Sequence, residues 1–354
     1  VTALRRFVVV LAWLGLAGEA GAQSPFAPPP EPKPIFLRLL AFADYFDEAA
    51  LAQFERESGI QIAYDAYDSP ESIEEKLREG PYDLVVLPGP TLRREIAEGA
   101  LQRLDRARLA HASSAAAPIA AKLAAYDPTG AYAITYMWFA TGLLYNADLA
   151  TSRLRGAPAS WGPLFAPEEA RRLADCGVAT PDSRDDLFMA AWRFLGVNPA
   201  RLGALDVRRA GDLLIRVKAG ARAFAVRDYV GALANGSVCL SPGRMDDAAS
   251  ARTRAEQGGR DADIRFAAPR EGAPMSLDAL AIPRDAPHPA QSYALLDFLL
   301  RPEIAARDAR ATGLSSGEDA GDPELLKRLY PSGAVDPALT PAIEKEWARV
   351  KAAK

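Results

Sequence analysis

The constraint that most narrows the fold is a fivefold alternation of strand and helix signals in the first third of the chain. Ile35 to Ala41 reads as a strand, and Glu48 to Ser58 repeats its apolar residues with helical period, Ala50, Leu51 and Phe54 sharing one side before Gly59 closes it. Ile60 to Tyr64 is the next strand, Ser72 to Glu79 the next helix with Gly80 at its end, and Asp83 to Leu87 the third strand. Strands alternating with helices in this way form a parallel sheet covered on both faces, because each crossover helix needs an apolar sheet face to bury against. The first lobe is therefore α/β.

The rest of the chain is long enough for a second lobe. Ala131 to Asn146 is aromatic and β-branched but interrupted by Gly142, and it reads as a long bending strand suited to crossing between lobes. Helices are expected at Pro167 to Ala174, Asp185 to Leu195, Arg208 to Val217 and Tyr229 to Ala234. Strands follow at Ile264 to Ala267 and Leu277 to Ile282, then helices at Pro289 to Leu300 and Pro341 to Lys354. Two α/β lobes joined by crossing strands enclose a cleft. The stretch Ala234 to Asp247 bears on it directly. Val238-Cys239-Leu240 reads as a buried strand, and Ser241-Pro242-Gly243 is expected to end it, leaving Arg244, Asp246 and Asp247 at the strand's C-terminal mouth, where open α/β sheets bind ligands.

The N-terminus carries an address. Arg5 and Arg6 precede the apolar run Phe7 to Leu16 and the small-residue site Ala20-Gly21-Ala22, the pattern of a cleaved secretory signal over residues 1–22. The run is well short of the roughly 20 residues a spanning helix needs. Residues 23–34 are Pro-rich and read as an extended tether. The 354 residues carry a net charge of -4; removal of Arg5, Arg6 and Glu19 takes away one positive charge and leaves -5. Mild acidity argues against a nucleic-acid surface and permits cationic ligands. The two cysteines, Cys176 and Cys239, lie in the exported part, and the pair reads either as one disulfide or as two buried thiols.

Enzymatic signatures fail on context. Gly313-Leu314-Ser315-Ser316-Gly317 matches a nucleophile elbow, but the segment before it is helical in pattern and no histidine follows Ser315. His111 and His288 stand in Ala/Pro-rich loops without neighbours at metal-ligand spacing, and no phosphate-binding loop or dinucleotide fingerprint occurs. No enzyme activity, metal or cofactor is expected. What remains is a set of carboxylates in loops or strands facing the cleft: Asp44, Asp186, Asp247 and Asp278. Asp278 interrupts an apolar strand, where a carboxylate is costly unless it meets a cation or several donors. Each of the others has a bland structural alternative: Asp44 as a helix cap, Asp186 as a helix N-terminal charge, Asp247 as an ion-pair partner of Arg244. Together they suggest a site for amino groups.

From about Leu40 onward the chain resembles the periplasmic polyamine-binding proteins of ABC importers, and among them the putrescine binders most. The resemblance is carried in order by Asp44-Tyr45, the run Phe54 to Ile60, Tyr64-Asp65, Asp68-Ser69, Asp83 to Val86, Tyr136 to Trp138, Thr141-Gly142 and Tyr145-Asn146. It continues through Ser160-Trp161, Cys176 to Val178, Leu233 to Gly236 with Cys239, and Leu299 to Pro302. It implies a two-lobed periplasmic binding protein of type II that closes on its ligand like a hinge, a Cys176 to Cys239 bridge, a periplasmic location, and delivery of the ligand to ABC permease subunits by a monomer. The lobes are expected at residues 35–138 with 275–312, and 139–274 with 313–354. By the resemblance, Phe42, Asp44, Tyr45, Asp186, Arg244, Asp247 and Asp278 fall on ligand-binding positions. Asp186 stands where the family has Glu, and Phe42 where it has Trp. Arg244, Ser276 and Leu314 replace Trp, an aromatic and Tyr, and Leu87-Pro88-Gly89-Pro90 replaces a serine-containing loop. Arg244 has three options: it swings out to pair with Asp246, it occupies the site by pairing with Asp247 or Asp278, or it binds the carboxylate of a different ligand such as an amino acid or another zwitterion. A periplasmic sensing protein that docks on a receptor is the alternative role for the same fold.

Overall fold

The computed structural model describes residues 35–112, 117–317, 321–333 and 335–353, so the signal at 1–22 and the tether at 23–34 lie outside the described residues. The expected alternation is present. Strand β1 (Phe36–Phe42) pairs in parallel with β2 (Gln61–Tyr67) and β3 (Leu84–Pro88). Between them run the helices Glu48–Ser58 and Pro70–Arg78. Asp47 caps the first by accepting from Ala50 N at 3.0 Å, and Gly59 ends it in the left-handed region at φ 71°. Successive residues of β1 face opposite ways. Leu37, Leu39 and Ala41 join a core with Phe54 and the helices Pro289–Leu299 and Pro302–Thr312, whereas Leu40 joins a core with Ile73, Leu92 and Leu123 on the other face.

The crossing strand is a single element, β4 (Ala133–Asn146). The other strands are β5 (Ala179–Pro181), β6 (Ala223–Val226), β7 (Leu240–Arg244), β8 (Ile264–Ala267), β9 (Ala273–Ala281), β10 (Ser315–Ser316) and β11 (Leu329–Pro331). The first half of β4 pairs antiparallel with β9 and β10, completing the order β10-β4-β9-β3-β1-β2. Its second half pairs with β7 and β8, carrying the chain into a separate core built on Trp161, Phe188, Trp192, Leu214 and Trp347. Gly142 stands at the changeover because nothing larger fits: a Cβ there would lie 2.6 Å from Ala267 O and 2.7 Å from the Phe266 ring.

One expectation is corrected. The Ser241-Pro242-Gly243 triplet does not end the strand; it lies inside β7. The bonds Met245 N to Ala140 O and Asn146 N to Cys239 O, both 2.9 Å, fix the antiparallel alternation so that Pro242, opposite Leu143, takes a non-hydrogen-bonded place and its missing N–H costs nothing. Gly243 is needed for space, since a Cβ would come 2.6 Å from Leu144 Cδ1. Leu314 packs on the first core, β10 pairs with β4 at Trp138 and Met137, and Leu326 and Leu329 join the core containing Leu40. The helix Thr340–Ala352 joins the second core through Ile343, Trp347 and Val350, and Tyr330, Val335 and Leu339 pack against that core.

Cys176 and Cys239 are joined by a disulfide, their Cα atoms 5.5 Å apart. The bridge anchors the chain just before β7 to the segment leading into β5. Among the described residues no helix is long and apolar enough to cross a membrane.

Candidate functional site

The site is organised around Asp278. In β9 it lies opposite Pro88 of β3 on one side and Met137 of β4 on the other, so the sheet itself places a carboxylate in its interior, 4% exposed. Tyr45, itself buried, donates its hydroxyl hydrogen to Asp278 Oδ2 at 3.1 Å. Burial outweighs that bond and the attraction of Arg244, and it pushes the Asp278 carboxyl up to about 6. The same surroundings raise the Tyr45 phenol well above its ordinary range, burial first and the Asp278 charge next.

Tyr45 reaches Asp278 from the loop after β1, and Phe42 packs beside it with ring centroids 5.7 Å apart. In that loop Asp44 is solvent-exposed and adopts φ 54°, a left-handed conformation that carries a steric cost outside glycine. Asp44 is not the cap of the following helix, because Asp47 holds that role. No hydrogen bond or ion pair ties the Asp44 carboxylate to another described residue.

The other carboxylates come from the second core. Asp186, half-buried in the first turn of the helix Arg184–Phe194, accepts from Ser183 Oγ at 2.8 Å. Burial raises its pKa, with the Ser183 and Thr141 hydroxyls and Arg244 opposing the rise. Asp247, at the start of the helix Asp247–Gln257, accepts a hydrogen bond from the Tyr229 hydroxyl and one from Arg244 N at 3.3 Å. Burial raises it too.

Arg244 joins these groups, since its charge acts on Asp186, Asp247 and Asp278 alike. Its side chain is already engaged. Nε and Nη2 donate to the two carboxylate oxygens of Asp246 at 3.1 and 2.8 Å, and the guanidinium carbon lies 4.1 Å over the Phe139 ring. Of the three options in the sequence, the structure adopts the pairing with Asp246. Burial pulls the guanidinium down, but the Asp246 bond and charge hold its pKa above the ordinary value. At the two other positions where the resemblance has rings, Ser276 shares a hydrogen bond with Ser332 at 3.0 Å, and Leu314 packs on the first core.

The chain's relatives agree with this architecture. The model of the family described as "Bacterial extracellular solute-binding protein" matches residues 49–318. The chain belongs to the bacterial extracellular solute-binding proteins. This solute-binding protein is 36% identical over 304 residues to the putrescine/agmatine-binding protein of Pseudomonas aeruginosa, covering 84% of its own length and 83% of that relative. It is 31% identical over 339 residues to the putrescine-binding periplasmic protein PotF of Escherichia coli, with 90% and 92% covered. Its fold superposes with a TM-score of 0.76 on the spermidine/putrescine substrate-binding protein PotD of Streptococcus pneumoniae, at 20% identity over 90% of this chain and 98% of that one.

Several residues that shape the cleft of this solute-binding protein carry no local sequence signal. Phe139 is one aromatic among many in β4, and only the register brings it under Arg244. Asp308 is another. Fully buried, it accepts from the Tyr136 hydroxyl and from Asp47 N at 2.8 Å, while Arg307 pairs with Asp47 at 3.1 Å. It thereby ties the helix Pro302–Thr312 to the end of the loop bearing Asp44 and Tyr45. Burial pushes its carboxyl up to about 6 against the pull of Tyr136 and the Asp47 amide. Ser315, in the two-residue strand β10, follows a helix rather than a strand, so the elbow geometry is absent. His111 pairs with Asp297 and His288 with Asp83, and among the described residues no group of three or more metal-ligating side chains converges.

Proposed function

We propose that this solute-binding protein captures a putrescine-like polyamine or a related small amine in the periplasm and delivers it to the permease of an ABC importer. One observation carries the reading: the sheet holds the Asp278 carboxylate in its interior, 4% exposed, with the Tyr45 hydroxyl as donor and no cation paired to it among the described residues. With Asp186 and Asp247 it makes three carboxylates held above their ordinary pKa that lack a cation of their own. A ligand ammonium supplies one, and it recovers the cost of keeping Asp278 charged in the sheet interior. The relatives named for binding putrescine support the choice of amine.

In this reading Asp278 with Tyr45 holds one ammonium, Asp186, Asp247 and Asp44 shape the field around the rest, and Phe42 and Arg244 flank the ligand. Capture uses ion pairs, hydrogen bonds and apolar contact, with no bond made or broken. The described residues within 35–138 and 273–331 make one lobe and those within 139–272 and 332–353 the other, and closure of the two on the ligand presents a joint surface to the permease. The leader at 1–22 exports the chain, and it works as a monomer.

Calorimetry on protein unfolded, washed free of ligand and refolded tests the reading against putrescine, cadaverine, spermidine and agmatine. Binding of at least one at micromolar Kd or tighter is expected. Absence of heat with all four, in protein with native circular dichroism, removes the amine assignment.

A further inference from the structure

Arg244 sets a condition on the ligand that the carboxylates do not. Its guanidinium is locked along one edge by the two-point contact with Asp246, whose side chain is only 11% exposed, and on one face by the Phe139 ring. Nη1 takes no part in that contact and donates to no described residue, while the Arg244 side chain is 38% exposed. A planar guanidinium fixed in this way offers its three remaining N–H bonds in set directions and no acceptor. It stands beside Asp247, which accepts from Arg244 N at 3.3 Å, and rests on Phe139, the register partner of Ser276 two residues from Asp278 in β9; its charge also acts on Asp186 and Asp278.

We propose that Arg244 makes the cleft bipolar and selects an amine whose far end is a neutral hydrogen-bond acceptor, such as the amide carbonyl of an N-acylated diamine. The assignment rests on the amine-capture reading above. The ligand ammonium sits at Asp278 and Tyr45, and the acceptor takes the free Nη1 edge. A second ammonium at that edge would face N–H donors, leaving its own hydrogens without acceptors there. A carboxylate there would gain Arg244 but face Asp186 and Asp247, both already short of cations. A neutral carbonyl avoids both conflicts, because the Arg244 charge is balanced by Asp246.

Calorimetry with putrescine, N-acetylputrescine and 4-aminobutanoate on the ligand-free wild type, Arg244→Met and Arg244→Lys decides it. Methionine keeps an apolar body over Phe139 without donors, and lysine keeps the charge without the fork. The wild type is expected to bind N-acetylputrescine at least tenfold more tightly than putrescine, and both variants to lose or reverse that preference. Putrescine bound more tightly by the wild type, or a preference unchanged in both variants, overturns the role of Arg244. Tighter binding of 4-aminobutanoate than of N-acetylputrescine overturns the neutral end. If putrescine, cadaverine, spermidine, agmatine and the other two compounds all fail on folded wild type, the amine reading falls and this one with it; if diamines bind and only the acceptor preference is missing, this inference alone falls.

Discussion

Replacing Asp278 by asparagine separates what the cleft costs the fold from what it gives the ligand. The wild-type carboxyl rises from 3.8 to about 6 on folding, mainly through burial. Well below pH 3.8 both folded and unfolded chains hold the proton and the residue is neutral in its effect. Above that the unfolded chain ionises first, so stability is lost progressively as pH rises to about 6, and the full penalty persists at higher pH. A shift of this size corresponds to about 3 kcal/mol near neutral pH, about half of that at pH 5 and under about 1 kcal/mol at pH 4. An asparagine at this position cannot ionise, yet its amide oxygen still accepts from Tyr45. Urea unfolding of ligand-free protein, followed by tryptophan fluorescence, should therefore show Asp278→Asn to be the more stable chain near pH 7.5 by up to about 3 kcal/mol, with the gain fading by pH 4. Amine affinity should fall in the same variant by about a hundredfold, equivalent to roughly 3 kcal/mol, because a desolvated ion pair is replaced by a neutral contact. In the wild type, affinity should fall about tenfold per pH unit below 6, since a protonated Asp278 no longer pairs with an ammonium. A variant no more stable than wild type at neutral pH refutes the reasoning. So does a gain of equal size at pH 4, which would come from packing rather than charge.

Three further outcomes follow from the same structure. Reducing the Cys176–Cys239 bridge, or replacing both cysteines with alanine, frees a 63-residue separation and should lower stability by about 4 kcal/mol on the loop-entropy estimate, measured as a drop in urea midpoint. Asp308→Ala leaves the Tyr136 hydroxyl and Asp47 N without their buried acceptor and should cost about 2–4 kcal/mol, with amine affinity weakened as the Tyr45 loop loosens; unchanged affinity would separate Asp308 from the site. Gly142→Ala drives a Cβ into Ala267 O and the Phe266 ring and should destabilise by about 1–3 kcal/mol, seen as a lower melting temperature.

Much of the fold is legible in the sequence because its signals are local. The helix Glu48–Ser58 and the helix Tyr229–Ala234 fall where apolar period, caps and breakers place them, since each is decided by residues within a turn or two. The long strand β4 is legible for the same reason, and the order of family-like residues is enough to expect two lobes and the bridge between the cysteines. Pro242 shows where local reading stops. A proline and a glycine in succession signal a break, but whether a missing N–H matters depends on which way the residue faces in a ladder with a strand far earlier in the chain.

The site divides along the same line. Sequence alone determined that Asp44, Asp186, Asp247 and Asp278 were unusual carboxylates and that Arg244 stood among them. Tertiary structure decided which carboxylates lose water, that Tyr45 meets Asp278 and Tyr229 meets Asp247, and that Arg244 turns to Asp246 while resting on Phe139. Those outcomes depend on register between β4, β7 and β9 and on the depth at which each side chain is buried. Charge energetics are set by distance and desolvation, and neither is written in the spacing of residues along a chain.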